Sequence, residues 1–272
     1  MMRLRKLWLG AGLTALLLAT AALSLLWTPW PTDAIDLAAK LQAPGRLHWL
    51  GTDSLGRDVA SLVMAGARVT IQVGVIAVGI GLLLGTALGL LAASRGGWLD
   101  ELLMRAADVG FAFPAILTAL LFTAVLGPGI GNAIIAIGLH AVPTFARVAR
   151  ASARSVWARD FCLAAEACGR SRWAITWRHV LPNIAAALGV QATIQFALAI
   201  LAEAALSYLG LGTQPPAPSW GRMLAEAQTQ LFNAPLLALF PGLAVMLAVL
   251  GLNLLGDGLR DWNDPKQSHR SA

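Results

Sequence analysis

Three stretches of this chain carry no formally charged side chain: residues 7–27, 69–94 and 109–146, of 21, 26 and 38 residues. A helix needs about 20 apolar residues to cross the ~30 Å hydrocarbon core of a bilayer. Backbone amides in that core must be paired within the segment or within a closed barrel. Runs of this length without alternation therefore read as helices in lipid, and the third is long enough for two. Gly127-Pro128-Gly129-Ile130-Gly131-Asn132 interrupts it with the residues of a tight turn. Two more apolar runs, residues 180–202 and 236–256, bring the expected total to six spans. Composition agrees: 57% of the residues are hydrophobic and 12% charged, against roughly 45–50% apolar in soluble domains. The chain reads as an all-α, multi-pass membrane protein.

The net charge of +6 has to be located before it is interpreted. On the six-span arrangement, 15 Lys and Arg fall on one side of the membrane and 5 on the other (Lys40, Arg46, Arg57, Arg68 and Arg222). Short loops rich in Lys and Arg stay inside, so both termini are expected in the cytoplasm. Sidedness accounts for the charge, and no nucleic-acid partner is expected. The first run follows Arg3, Arg5 and Lys6 as a signal peptide would, but it exceeds the 7–15 residues of such an apolar region. Its small-x-small match, Ala19-Thr20-Ala21, lies inside the run, so the segment reads as an uncleaved anchor.

Most of the inside charge sits in one hydrophilic stretch, residues 147–182, with seven Arg against Asp160 and Glu166. Asp160 is placed to N-cap a short helix, Gly169 to permit a turn, Ser171 to cap a second helix, and Pro182 to end or kink it. Ala165 and Gly169, four apart, predict a flat helix face that another protein's backbone can approach. A basic amphipathic connector lying on anionic lipid is the other reading of residues 147–159. Cys162 and Cys168 face different sides of this helix and are expected as free thiols, with no metal-ligand spacing around them.

At these residues the chain resembles a family. Ala164, Ala165 and Gly169 in the pattern A-A-x-x-x-G, followed by H-V-L-P-N at residues 179–183, are similar to the EAA loop of ATP-binding-cassette importer permeases. Leu163 stands where the founding motif has Glu, and His179 where it often has Ile. G-T-D-x-L-G-R-D at 51–58, G-G-W-x-D-E-x-x-M-R-x-x-D-x-x-x-A-F-P at 96–114, L-S-x-L-G-L-G at 206–212 with P-S-W-G at 218–221, and G-D-x-L-R-D from Gly256 resemble the dipeptide, oligopeptide and nickel branch. The resemblance implies a type I importer permease fold whose coupling helix docks on a cytoplasmic ATPase through Asp160, Ala164, Ala165, Gly169, Arg170, His179 and Pro182. It further implies a second homologous permease, two ATPase subunits and an extracytoplasmic binding protein as partners. The implied activity is import across the inner membrane by alternating access, with peptides as substrate and nickel or a nickel chelate as the alternative. A proton- or sodium-driven carrier is the reading from another class.

The chain itself has no G-x-x-x-x-G-K-[S/T] loop, so ATP hydrolysis falls to partners, and no cofactor or metal site is expected from four scattered His (48, 140, 179 and 269). His140 and Glu203 are intramembrane ionisable groups and hence candidates for the pathway. Glu203 reads equally as a tie between permease subunits, and His140 as a neutral ring bonded to a neighbouring helix. Asp53, Arg57 and Asp58 form either a face toward the binding protein or a local charge network, with Asp53 or Ser54 capping a short helix near Leu55. Trp220 reads as a partner contact or a headgroup-level anchor. Gly81, Gly85 and Gly89, spaced by four, predict a packing seam, within the bundle or against a second permease. The expected divisions are an anchor and outer segment over 1–67, a permease domain over 68–262, and a tail over 263–272.

Overall fold

The computed structural model describes residues 2–263. The last part of the C-terminal motif, Asp264 to Lys266, and the tail beyond Asn263 lie outside the described residues. Among those described, the regular elements are helices. Helix α1 (Met2–Leu26) is followed by an irregular segment with one 3-10 turn (Leu37–Ala39), and then by α2 (Val59–Arg95). At 1.5 Å per residue, α2's 37 residues make a rod of about 55 Å. It starts ten residues before the uncharged run, because the Asp58 carboxylate caps it, accepting from the Ser61 amide at 2.8 Å and the Ser61 hydroxyl at 2.7 Å. The division expected at 67/68 thus falls inside a helix.

The 38-residue run resolves differently from the expectation of two simple spans. Helix α3 (Gly97–Ala112) begins in the charged loop, and α4 (Ala115–Leu126) leaves it at an angle of 86°. Pro114 makes the corner: it has no N–H to continue α3, and it disfavours helical backbone at Phe113, which is extended. Twelve residues reach only about 18 Å, so α4 is too short to cross alone and forms one arm of a bent pair with α3. Helix α5 (Ile130–Trp157) continues past the apolar run and carries Arg147, Arg150 and Arg154 in its last turns. Then come α6 (Asp160–Ala167), α7 (Arg172–Ile175), a π-helical turn (Thr176–Val180) and α8 (Leu181–Tyr208). Pro182 lies in the first turn of α8, where a missing N–H is tolerated; it neither ends nor breaks the 37-residue rod Arg172–Tyr208. Helices α9 (Trp220–Gln228) and α10 (Leu236–Asn263) complete the chain. Among the described residues, five helices are long and apolar enough to cross a membrane, or six if the bent pair is one span.

The glycine stripe of α2 packs inside the molecule, against α5. A Cβ at Gly81 would stand 2.6 Å from that of Ala141, one at Gly85 2.5 Å from the Val142 carbonyl oxygen, and one at Gly89 2.4 Å from the Ala146 carbonyl oxygen. Phe145, fully buried, fills the centre of this seam. Helix α1 runs antiparallel to α10, with Leu7 beside Gly258, and Gly256 lies beside Thr193 of α8. Both described ends of the chain therefore lie on the side from which α6 projects.

Candidate functional site

Helix α6 lies between the ends of α5 and α7 with a single buried side chain, Cys162. Arg159, not Asp160, occupies its N-cap position, and Asp160 sits in the first turn, where a carboxylate offsets the positive end of the helix dipole. The C-terminal end closes as a Schellman motif: the Gly169 amide donates to the Glu166 carbonyl at 2.9 Å and the Arg170 amide to that of Ala165 at 3.1 Å. Gly169 has φ +78, a conformation costly for any residue with a Cβ. It therefore lies beyond the helix, and the flat Ala165/Gly169 helix face expected from the spacing does not form. What α6 exposes is Asp160, Phe161, Leu163, Ala164, Glu166 and Ala167, with only Cys162 buried. Burial pushes the Cys162 thiol above its ordinary value, and the Arg159 charge offsets part of that. Cys168 and Arg170 are exposed. Ser171 caps α7 as expected, accepting from the Ala174 amide at 3.3 Å. His179, half-buried in the π turn, has its ring 6.2 Å from that of Phe161. Pro182 is exposed one turn further on.

The base of α6 is rooted in an ion-pair cluster that sequence reasoning did not single out. Asp100 of α3, 4% exposed, takes Arg150 (Nη2 at 2.7 Å) and Arg154, both on one face of α5. Asp108 takes Arg147, whose guanidinium lies 4.2 Å from the centre of the Phe111 ring. The available signal was the spacing of Arg147, Arg150 and Arg154, three and four apart on one helical face. Their acidic partners lie some forty to fifty residues away in sequence.

Between α2, the bent α3–α4 pair, α5 and α8 lies a cavity of 410 Å³. Its lining is apolar except for His140, Thr144 and Gln195. His140 thus faces a partly open cavity, with Ile116 and Leu198 of its lining exposed. Glu203 does not line it. Fully buried at 1% exposure, its Oε1 accepts from the Ser207 hydroxyl at 2.6 Å and the Thr213 hydroxyl at 3.2 Å. The Ser207 hydroxyl in turn accepts from the Thr213 amide at 2.9 Å. The carboxyl thereby latches the α8–α9 loop onto the end of α8.

On the side away from α6, Asp53, Arg57 and Asp58 are all buried in local contacts. Asp53 accepts from the Leu55 amide (2.8 Å), the Arg57 amide (2.9 Å) and Arg57 Nε (2.6 Å). Arg57 reaches on to Glu226 at 2.8 Å, which also takes Arg222 at 2.7 Å. Asp58 meets Nδ1 of His48 at 3.0 Å while capping α2. No helix starts near Leu55; the Asp53 carboxylate folds a turn there instead, around Gly56 (φ +77), where a Cβ would strike the Asp36 carbonyl oxygen at 1.7 Å. Trp220 is 3% exposed, its Nε1 donates to the Val63 carbonyl at 2.9 Å, and its ring fills the space above Gly66. It is a packing residue between α9 and α2, with no surface left for the membrane interface or a partner. Leu37, Leu47, Trp49 and Phe232 are among the large apolar groups exposed on this side.

Long apolar rods around a partly open cavity, a nearly bare helix at one end and an ordered cap at the other are the features of a polytopic transport component. The family model for the binding-protein-dependent transport system inner membrane component matches residues 85–269, and the chain belongs to that family. It is thus a permease subunit of an ATP-binding-cassette importer. Similar proteins include the glutathione transport system permease protein GsiD of Pectobacterium atrosepticum, 42% identical over 262 residues that cover 94% of this chain and 86% of that one. The dipeptide transport system permease protein DppC of Alkalihalophilus pseudofirmus is 47% identical over 227 residues, 84% of this chain and 75% of that one. Among solved structures, the inward-facing MetNI methionine ABC transporter matches with a TM-score of 0.61 and 20% identity, over 75% of this chain and 97% of that one. That likeness speaks to fold alone.

Proposed function

We propose that the chain imports small peptides, with α6 as the helix through which a cytoplasmic ATPase drives the bundle. The observation that carries the mechanical part is the bareness of α6. An eight-residue helix with one buried side chain has little of its own chain to hold it, and isolated helices this short are marginal in water. A partner that covers Phe161, Leu163 and Ala164 supplies what is missing, with Asp160, Ala165, Gly169, Arg170, His179 and Pro182 around the contact. Because α5 runs into α6 and α7–α8 leaves it, a push there is transmitted to two spans at once. The Asp100 and Asp108 ion pairs carry it to α3, and so to the walls of the cavity. Alternating access then consists of two arrangements of these rods, biased by nucleotide on the partner.

Peptide as cargo rests on the substrates that the relatives are named for, dipeptide and glutathione. His140, Thr144 and Gln195 supply donors and acceptors suited to amide groups in an otherwise apolar cavity. A second homologous permease and an extracytoplasmic binding protein complete the assembly, with both ends of this chain in the cytoplasm of an inner membrane. The test is uptake of labelled dipeptide by proteoliposomes holding the complete transporter and its binding protein, with unlabelled glutathione and nickel as competitors. Uptake that requires ATP and is competed by glutathione is expected. Uptake without nucleotide would return an ion-driven carrier, and competition by nickel alone would move the cargo to the metal. Gly169→Val, which forces a β-branched residue to φ +78 at a cost of roughly 1–2 kcal/mol, should lower ATP-driven uptake while leaving dipeptide binding by the binding protein unchanged.

A further inference from the structure

A second apolar space, of 580 Å³, lies on the outer surface between the α6-side half of α2 and the start of α8. Leu83 and Leu91 form one wall and Leu181 and Leu188 the other. At its α6 end stand Trp173 and Trp177, edge to face with ring centres 5.5 Å apart and 69% and 51% exposed. Ser94 belongs to the same end, and the Arg172 guanidinium closes the rim by donating to its carbonyl at 2.7 Å. The next residues along each helix are Arg95 and Arg178, both exposed and neither in an ion pair among the described residues. Deep in the groove is Thr86, 9% exposed, whose hydroxyl has no hydrogen-bond partner among the described residues.

We propose that this groove holds an anionic glycerophospholipid from the leaflet on the α6 side. An acyl chain lies along the leucine walls, and the two tryptophans stand at headgroup depth, where amphipathic rings collect. Arg95 and Arg178, next to Ser94 and Trp177 at that end, supply positive charge to the phosphate. Another protein's helix is a poorer occupant, because seating it would bury two arginines with no acid opposite them, a costly arrangement. The inference does not depend on which cargo the permease carries.

The groove is open at Gly189, where a Cβ would meet nothing within 4 Å. Gly189→Leu therefore fills the lipid's space without a clash inside this chain. The experiment is native mass spectrometry of the intact transporter released from nanodiscs of phosphatidylcholine and phosphatidylglycerol. Wild type should keep phosphatidylglycerol in preference to phosphatidylcholine, and Gly189→Leu should lose it. Arg95→Gln with Arg178→Gln should reduce the preference by about thirtyfold, the equivalent of ~1 kcal/mol for each of the two basic residues near the lipid surface. Equal retention of the two lipids by wild type overturns the proposal, as does an unchanged preference in the arginine variant, which leaves the groove walls intact. Loss of the partner permease together with lipid in Gly189→Leu would show instead that the groove seats a subunit.

Discussion

A buried carboxyl is tolerable only with partners, and Oε1 of Glu203 finds them in its own chain, whereas Oε2 has none among the described residues. Replacing it with Ala leaves the Ser207 and Thr213 hydroxyls without an acceptor in a buried site, at about 1–3 kcal/mol. Glu203→Ala should therefore melt at lower temperature than wild type in detergent, while Glu203→Gln, which keeps an acceptor oxygen, should recover most of the loss. An Ala variant as stable as wild type would remove the latch. The two cysteines give a second test at this scale. Thiolate is the reactive form, and burial raises the Cys162 thiol, so less of it is thiolate at neutral pH. Maleimide should modify Cys168 quickly and Cys162 slowly, read in Cys162→Ser and Cys168→Ser variants, with the Cys162 rate climbing as pH rises. Equal rates at neutral pH would place Cys162 at the surface. What sequence revealed about single residues followed separation along the chain. Asp53 and Arg57 are four apart, so a local network was legible. Asp100 meets Arg150 and Arg154, 50 and 54 residues away, and one sequence has no way of joining them.

The elements were legible wherever period or length is enough. The stripe of Gly81, Gly85 and Gly89 announced a seam; which helix fills it was not legible, since small residues invite any neighbour equally. With α5 identified, Gly85→Leu pushes a side chain into the Val142 carbonyl and should cost at least the 1–3 kcal/mol of an overpacked core. Gly79→Leu is the control, because a Cβ there meets nothing within 4 Å. The first should abolish a monodisperse peak on size exclusion, and the second should preserve it. Two equal profiles would mean that α2 and α5 do not pack through the stripe. Residues 95–108 read as a short amphipathic helix, and α3 begins there, but hydropathy did not show that this helix runs on into the apolar run. Asp100, Glu101, Arg105 and Asp108 interrupt the apolar signal, yet two of these acids are paired to α5 and the helix runs straight through them. Nor does an uncharged run of 38 residues report an 86° corner at Pro114. The proline was visible, but the direction of the turn depends on the packing of α3 and α4 against α5.

At the scale of the molecule, charge and packing bear on the same question from independent directions. The count of 15 Lys and Arg on one side and 5 on the other uses no coordinates. The antiparallel contacts of α1 with α10 and of α10 with α8 use no charge, and they put both described chain ends on the α6 side. Together they identify the α6 end as the richer side of the six-span arrangement, and the positive-inside rule then predicts that α6 lies in the cytoplasm. Phe232, 99% exposed between α9 and α10, marks the opposite end. In a background with Cys162 and Cys168 replaced by Ser, Phe232→Cys should react with a membrane-impermeant maleimide added to spheroplasts. Cys168, kept alone, should react only after the membrane is opened. The reverse pattern would turn the molecule over and put α6 outside the cell. No ATPase could then reach Phe161 and Leu163, and the coupling role would fail even though every helix and every ion pair described above remained in place.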